Sequence, residues 1–283
     1  MKVAIVGSGP TGRAAARELA VHGAAVTIFE KESEPGGLMR WGYPDFRIPL
    51  SITRRDVAAL QELGVTFQVG LTLGEHVTLT DLERDFDAVL IAAGAPRSKR
   101  LGILGEDSPG VHAALDFLYA ARSERPLPAG PDVLVVGGGD TAVDAAVTSV
   151  KHGAETVTIL YRGAEENVPA QPHEIKRSHA AGVAWRFGQR PLRLEPAGDG
   201  LAVTMHGADR PAADPERFHT VVVAIGQETD PAFRSALGVT MNDDGSTDRP
   251  KVYLVGGSRY GSDRLARAIQ DGRAAARRVL AGG

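Results

Sequence analysis

The sequence predicts an α/β fold of two Rossmann-like dinucleotide-binding domains, the second inserted in the first. Three observations predict it. The apolar run Val3-Ala4-Ile5-Val6 leads into Gly7-Ser8-Gly9-Pro10-Thr11-Gly12, an alanine-rich helix to His22, and a second apolar run ending at Glu30. The same order returns from Val133, with Gly137 in the place of Gly7 and His152-Gly153-Ala154 repeating His22-Gly23-Ala24. Two further apolar strands end on glycine, at Gly94 before the second loop and at Gly226 after it. One supersecondary unit used twice, with matching strands on either side of the second copy, is the pattern of an inserted domain.

The first unit is a dinucleotide site by its parts. A run of four apolar residues suits a strand buried on both faces. Gly7 permits the tight turn, Gly9 lets a pyrophosphate approach the backbone, and Gly12 lets helix and strand pack closely. The helix Arg13–His22 presents its N-terminal N–H groups and partial positive charge to that pyrophosphate, and Gly23 closes it. Glu30, at the end of the strand Val26–Phe29, is placed to accept ribose hydroxyls.

The segment from Lys31 to Pro44 reads as a loop in which Gly36-Gly37 allows close approach of a ligand and Trp41 and Tyr43 can wall a flat ring. Ile52 to Leu63 reads as an amphipathic helix ended by Gly64, Val65 to Leu71 as a strand, and Thr80–Glu83 as a capped helical turn. Ala88 to Ala93 is a buried strand stopped by Gly94. Arg97 to Pro131, with Pro96, Pro109, Pro126, Pro128 and Pro131 and one helical piece at Ala113–Arg122, reads as a crossover.

In the second unit, Val133–Val136 leads into Gly137-Gly138-Gly139-Asp140-Thr141-Ala142, a helix to His152, and the strand Val157–Tyr161. The acid is missing here: Tyr161-Arg162 stands in the place of Glu30. Losing the carboxylate removes repulsion of a 2′-phosphate, and Arg162 can pair with one, which favours NADP over NAD. His173 and His179 have no third ligand with them and read as solvated histidines, so no metal site is expected. Val183–Phe187, Leu192–Leu194 and Leu201–Met205 read as a small antiparallel layer. Val252 to Gly257 is one more buried strand. The last helix, Asp263 to Leu280, follows Ser262 as N-cap and has an apolar face of Leu265, Ala268, Ile269, Gly272, Ala276 and Val279.

Composition bounds the function. The chain has 283 residues, 43% hydrophobic and 24% charged, with net charge −3. That is a globular composition, long enough for one large or two medium domains. The balance gives no electrostatic reason for a nucleic-acid or anionic-membrane partner. No apolar run approaches the roughly 18 residues a membrane helix needs. Met1-Lys2 leads straight into a strand, without room for a signal peptide, so a cytoplasmic protein is the expectation. The absence of cysteine excludes disulfides, thiolate-bound zinc, cysteine-ligated clusters and a redox C-x-x-C pair within these residues.

Two dinucleotide sites in one chain imply electron transfer between two cofactors. The stretches Val3–Glu30, EPGGLMRWGYPDFRIP from Glu34, LGEDSPGV from Leu104, VVGGGDTAVD from Val135, VAIGQ from Val223 and IQDGR from Ile269 carry a resemblance. The chain resembles the two-dinucleotide-binding-domain flavoproteins. Within them it is most similar to the branch of the glutamate synthase small subunit and the flavin subunit of bacterial dihydropyrimidine dehydrogenase. The resemblance implies FAD on residues 1–110 and 226–283, NADPH (with NADH as the alternative) on residues 111–225, and hydride passage from nicotinamide to flavin. It implies that Gly7, Gly9, Gly12, Glu30, Gly37, Arg40 and Leu73 hold FAD, and that Gly139, Asp140, Thr141 and Arg162 hold NADPH. The candidate cofactor set also takes in Pro10, Thr11, Lys31, Gly36, Leu38, Ala93, Gly94, Gly137, Gly226, Gly256, Gly257 and Ala266. No catalytic side chain is expected, since the cofactors carry the chemistry.

The sequence departs from that pattern in three places. These 283 residues hold neither the cysteine-rich cluster segment of the branch nor the cysteine pair of the thioredoxin reductases, which leaves the acceptor open between a partner protein and a small molecule. Gly257 stands where the family has an aspartate on the flavin ribityl chain, which predicts looser FAD binding. Gly163 replaces a second arginine after Tyr161-Arg162. The expected function is therefore an FAD-dependent NAD(P)H oxidoreductase. The alternatives are a non-catalytic nucleotide-binding subunit and a flavin-free NADP dehydrogenase, for which no substrate-site acid–base pair stands out.

Overall fold

The structure is a computed structural model that describes the chain apart from residues 124, 126, 128, 208–213, 262, 263 and 283. Pro126 and Pro128 of the expected crossover, and Ser262 and Asp263 at the expected start of the last helix, lie outside the described residues. The chain divides into two compact units, Met1–Arg97 with Gln227–Gly283, and Ser98–Gly226.

The first unit is built on a parallel sheet of five strands in the order Val252–Leu254, Ala88–Ile91, Lys2–Val6, Ala25–Glu30, Thr66–Val69. Lys2–Val6 lies at its centre, Val3 opposite both Val26 and Ala88. Its side chains alternate between two cores: Val3 and Ile5 pack with Ala15, Ala16 and Leu19 of the first helix, while Ala4 and Val6 pack with Phe29, Leu82 and Leu254. That is why the strand is apolar at every position, and each such valine or isoleucine contributes about 1.5–3 kcal/mol by burial. The first helix, Pro10–Val21, begins with proline directly after Gly9, three residues before the expected start. It packs against the last helix, Leu265–Leu280. Gly272 makes that crossing possible: a Cβ there would stand 2.3 Å from the Thr11 carbonyl oxygen. The IQDGR motif is thus a helix-crossing motif.

Several local elements differ from expectation. Leu38–Trp41 and Gly257–Tyr260 are short helices inside stretches read as loop or strand end, and the helix Pro231–Leu237 is absent from the expectation although it carries Asp230 as N-cap, proline at its first position and a left-handed Gly238 at its end. The helix expected from Ile52 spans Leu50–Glu62, following Pro49. The turn expected at Thr80–Glu83 is a helix, Leu79–Asp85, and its capping box is Thr78 with Asp81, two residues earlier than expected: the Thr78 hydroxyl accepts the Asp81 N–H at 3.1 Å and the Asp81 carboxylate accepts the Thr78 N–H at 3.4 Å.

The second unit repeats the architecture. Its parallel sheet runs Val111–Ala113, Thr220–Val223, Asp132–Val136, Thr156–Tyr161, Ala184–Phe187. The expectation for residues 183–187 is corrected here. They do not belong to the antiparallel layer but pair in parallel with Thr156–Tyr161, Ile159 opposite Trp185. The helix Pro172–Ala180 between the two strands makes a crossover, and a crossover returns the chain parallel. The antiparallel layer starts only after Gly188, with Gln189–Ala197, Gly200–Gly207 and Glu216–Phe218.

Residues 98–110 go with this second unit, so the division falls before the expected boundary at 110. Leu104 bridges to Arg193, and Gly105 lies so close to the Leu194 carbonyl oxygen that a Cβ would come within 1.7 Å. Glu106 accepts the N–H groups of Leu101 and Gly102 at 2.6 and 2.8 Å. The LGEDSPGV motif is the structural reason the segment folds back on itself. Among the described residues no helix is long and apolar enough to cross a membrane.

Candidate cofactor-binding sites

In the first glycine loop the sequence order produces a close-packed turn. Gly7 has φ +102°, and a Cβ on it would lie 2.4 Å from the Ala92 carbonyl oxygen. A Cβ on Gly12 would lie 2.0 Å from the Gly7 carbonyl oxygen. Gly9 differs: a Cβ on it would meet nothing within 4 Å. Gly9 is also the N-cap of the first helix, which has no side-chain cap. The loop therefore offers uncapped helix N–H groups beside open space, the donor set a pyrophosphate requires.

Glu30 is 5% exposed and already committed in part. One carboxylate oxygen accepts the Ser8 N–H at 2.9 Å and the Ser8 hydroxyl. The other accepts the Glu32 N–H at 2.9 Å. A carboxylate accepts about four hydrogen bonds, so one position remains for a ribose hydroxyl. Ser8 in turn accepts the Gly36 N–H at 2.8 Å, which draws the Gly36-Gly37 turn onto the loop. A Cβ on Gly37 would stand 2.6 Å from the Gly9 Cα. Arg40 is 8% exposed, stacks 4.0 Å over the Trp41 ring and bonds Glu34 at 3.1 Å. That guanidinium holds the Glu34 carboxyl below the usual carboxylate range.

A second group of predicted residues gathers at the carboxyl ends of the strands Ala88–Ile91 and Val252–Leu254. The Ser258 hydroxyl accepts the Gly94 N–H at 3.0 Å, and Gly256 presses on Thr11, whose hydroxyl oxygen would lie 2.2 Å from a Cβ. Asp271 on the last helix accepts the Gly256 N–H at 2.6 Å and the Tyr260 hydroxyl at 2.5 Å. Burial, with Asp271 beside it, raises the Tyr260 phenol. Gly257 accepts a side chain only if the neighbouring turn shifts: a Cβ would lie 2.9 Å from the Ala95 nitrogen and the Gly94 carbonyl carbon.

The remaining predicted residues of this unit sit at its margins. Lys31 is exposed and pairs with Glu32, Leu38 is 37% exposed, Ala266 is exposed in the first turn of the last helix, and Leu73 packs on the apolar cluster around Phe29 and Leu82.

The second glycine loop has the same backbone. Gly137 has φ +149°, with the Ala224 carbonyl oxygen 2.2 Å from a Cβ, and Gly139 is open and uncapped as Gly9 is. The middle residue differs. Gly138 lies against the Tyr161 ring, 2.4 Å from a Cβ to its nearest atom, and the Tyr161 hydroxyl donates to the Asn167 carbonyl at 2.9 Å. Arg162 is exposed and makes no ion pair among the described residues. Thr141 is half-buried in the first helical turn. Gly226 is exposed just past the strand Thr220–Val223, with the Lys99 stem near it.

The structure adds residues that sequence reasoning missed. The Ala170 N–H donates to the Gly138 carbonyl at 3.0 Å, and the Gln171 N–H donates to Asp140 at 2.9 Å. The Asn167–Gln171 segment thus closes over the second loop. The segment is polar and broken by Pro169, so the sequence carries no periodic signal there. Asp140 is correspondingly a loop anchor as well as a helix-first-turn acid. Arg13 and Asp56 were also missed and are taken up below.

The family model described as pyridine nucleotide-disulphide oxidoreductase matches residues 1–272. The chain belongs to this family. As a pyridine nucleotide-disulphide oxidoreductase it is an enzyme of the flavin- and nicotinamide-nucleotide-dependent class. It is 33% identical over 320 residues to the glutamate synthase [NADPH] small chain of Escherichia coli K12, covering 99% of this chain and 68% of that one. It is 30% identical to the NAD-dependent dihydropyrimidine dehydrogenase subunit PreT of Salmonella typhimurium, covering 98% and 67%. Its fold is that of FprA from Mycobacterium tuberculosis, seen in a His57Gln mutant, with TM-score 0.82 at 20% identity over 99% of this chain and 84% of that one. The family name speaks of disulphides, yet these 283 residues hold no cysteine.

Proposed function

We propose that the unit of Met1–Arg97 and Gln227–Gly283 holds FAD, that Ser98–Gly226 holds NADPH, and that electrons leave to a partner protein. The observation that carries this is the pair of uncapped helix N-termini at Gly9 and Gly139, each with open space above its glycine. Both fit a dinucleotide pyrophosphate. When bound, FAD supplies the redox chemistry, taking a hydride from the nicotinamide nucleotide and releasing electrons to the acceptor.

The protein's own part is binding and orientation. Backbone N–H groups of Gly9, Thr11 and Gly12 face one pyrophosphate, and Glu30 keeps one acceptor for the adenine ribose. The last helix, with the Gly256-Gly257 turn before it, borders the flavin. In the second unit Gly139, Asp140 and Thr141 open the other pyrophosphate site, and Arg162 takes the 2′-phosphate. The relatives' designations as small chain and subunit support a protein acceptor over a free small molecule. A cytoplasmic location belongs to the same proposal.

The test is the visible spectrum of the purified protein followed by anaerobic NADPH titration. Flavin absorbance that bleaches on NADPH is expected. A protein that takes up no FAD overturns the proposal in favour of a non-catalytic nucleotide-binding subunit. NADP reduction by a colourless protein would favour the flavin-free dehydrogenase.

A further inference from the structure

A guanidinium only 3% exposed lies beneath the first glycine loop, and nothing in the reaction requires it. Arg13 follows Gly12 directly. Its Nε donates to Asp56 at 2.7 Å, its Nη1 donates to the Ser8 and Gly36 carbonyls at 2.8 Å each, and its Nη2 lies 3.0 Å from the Met39 sulfur. A buried cation needs such partners, and Asp56 supplies the opposite charge. Asp56 stands on the helix Leu50–Glu62 and is held from its other oxygen by Arg17 at 3.2 Å.

The two carbonyls matter for what they turn. A trans peptide is planar, with its C=O and N–H on opposite sides. Pulling the Ser8 carbonyl toward Arg13 aims the Gly9 N–H away from it. Pulling the Gly36 carbonyl does the same for Gly37. Gly9 and Gly37 are in contact, and neither N–H has a hydrogen-bond partner among the described residues. The space above Gly9 is open.

We propose that Arg13 is a positioning residue that aims the Gly9 and Gly37 N–H groups at the diphosphate of the bound dinucleotide, with Asp56 fixing the guanidinium in that pose. The inference rests on the reading that this unit holds FAD. Arg13 touches two carbonyls from two separate segments, so one side chain sets the orientation of both donors. The ion pair with Asp56 fixes the fork so that both carbonyls lie within its reach. Ser8, through Glu30 and the Gly36 N–H, ties the two segments to each other at the residues that precede these peptides. Each aimed peptide is thus held at its carbonyl edge, which leaves its N–H edge for the ligand.

The experiment uses the full chain freed of flavin, as the natural protein, Arg13→Leu and Arg13→Lys. FAD, ADP and riboflavin are titrated into each, NADP+ binding is the control on the other unit, and thermal unfolding is followed without nucleotide. Arg13→Leu should weaken FAD and ADP in parallel by about tenfold or more, since two charge-assisted hydrogen bonds to the loop are lost. Arg13→Lys should recover part of that loss, and NADP+ should bind all forms alike. Riboflavin, which has no diphosphate, should not distinguish them. Should Arg13→Leu fail to fold, Asp56→Ala carries the test, with FAD and ADP weakened together by roughly three- to tenfold. Lowered melting with unchanged FAD and ADP affinity, measured well below the transition, would show a merely structural arginine and overturn the inference. Natural protein that binds neither FAD nor ADP would overturn the flavin reading itself, and this inference with it.

Discussion

Ser8 and Gly138 occupy the same step of the same turn, and the two loops secure that step differently. In the first, Ser8 hydrogen-bonds Glu30 through both its N–H and its hydroxyl, so the acid at the end of the neighbouring strand is drawn into the loop. In the second, Gly138 lies close against the Tyr161 ring that replaces the acid, and the next residue, Arg162, is left exposed. One loop is tied by buried hydrogen bonds and keeps a carboxylate at the proposed ribose position. The other is tied by packing and offers a positive charge beyond it. The uncapped glycine backbone is common to both, with Gly9 and Gly139 equally open. On the proposed reading nucleotide choice is separated from phosphate binding in each unit, and a substitution should be able to change one without the other.

The largest expected effect breaks the backbone itself. Gly12→Ala would place a Cβ 2.0 Å from the Gly7 carbonyl oxygen, and that oxygen belongs to backbone that cannot swing aside. A cost of about 3 kcal/mol is expected, or roughly 6–12 °C in melting temperature, with loss of FAD binding. Gly9→Ala meets nothing and should leave melting unchanged while obstructing the pyrophosphate. Equal melting losses in the two variants would mean that the loop is not built as described. Next comes Arg162→Ala. Loss of a charge-assisted contact of about 1.5–3 kcal/mol should raise KM for NADPH roughly ten- to a hundredfold and leave NADH nearly unchanged. Steady-state kinetics with both nucleotides checks this, and equal changes would remove Arg162 from the 2′-phosphate.

What was legible in the sequence follows from the same difference. The βαβ order was readable twice because period, glycine spacing and strand apolarity are local properties. The close approaches were readable as glycines, and Gly7, Gly12, Gly137 and Gly272 each prove to face a carbonyl oxygen too near for a Cβ. Long-range polar clamps were not readable. Arg13 lies 43 residues from Asp56 and looks like a solvent-facing helix arginine in a sequence window. Glu30 was read toward a ligand, but its main partners are on its own chain, 22 residues back. The strand Ala184–Phe187 was placed in the wrong layer because strand pattern alone does not say which sheet receives it. The Asn167–Gln171 cover over the second loop had no periodicity to find.

A smaller effect sharpens the comparison by converting one loop toward the other. Gly138→Ser alone would drive a Cβ to 2.4 Å from the Tyr161 ring. A cost of about 1–2 kcal/mol is expected, since a ring can partly turn away. Gly138→Ser with Tyr161→Glu removes the ring and supplies the acid that Ser8 meets in the first loop. The double variant should regain most of the melting loss and shift preference from NADPH toward NADH. Strictly additive losses in this double-mutant cycle would show that the middle residue and the strand-end residue are not coupled, and the comparison of the two loops would fail.

The smallest expected effect concerns Gly257, and here the structure changes the sign that the sequence suggests. An aspartate at this place would offer a carboxylate to the ribityl hydroxyls, so on sequence grounds Gly257→Asp should tighten FAD. The backbone at this position says otherwise. A Cβ would lie 2.9 Å from the Ala95 nitrogen and the Gly94 carbonyl carbon and 3.0 Å from the Gly94 Cα. None of these atoms is the end of a flexible side chain. Moving the Gly94–Ala95 turn also strains the bond from the Gly94 N–H to the Ser258 hydroxyl. A cost of about 1 kcal/mol, or roughly 2–4 °C in melting temperature, is expected from the Cβ alone. Gly257→Ala carries that cost without the carboxylate and should weaken FAD about fivefold. Gly257→Asp should fall between Gly257→Ala and the natural protein, the new hydrogen bond offsetting part of the crowding. Flavin titration of the three proteins side by side separates the contributions: alanine against glycine reads the crowding, and aspartate against alanine reads the carboxylate. An aspartate variant that binds FAD more tightly than the natural protein would show that the turn yields at no cost, and that the glycine is a loss of affinity rather than a fit to the backbone beside it.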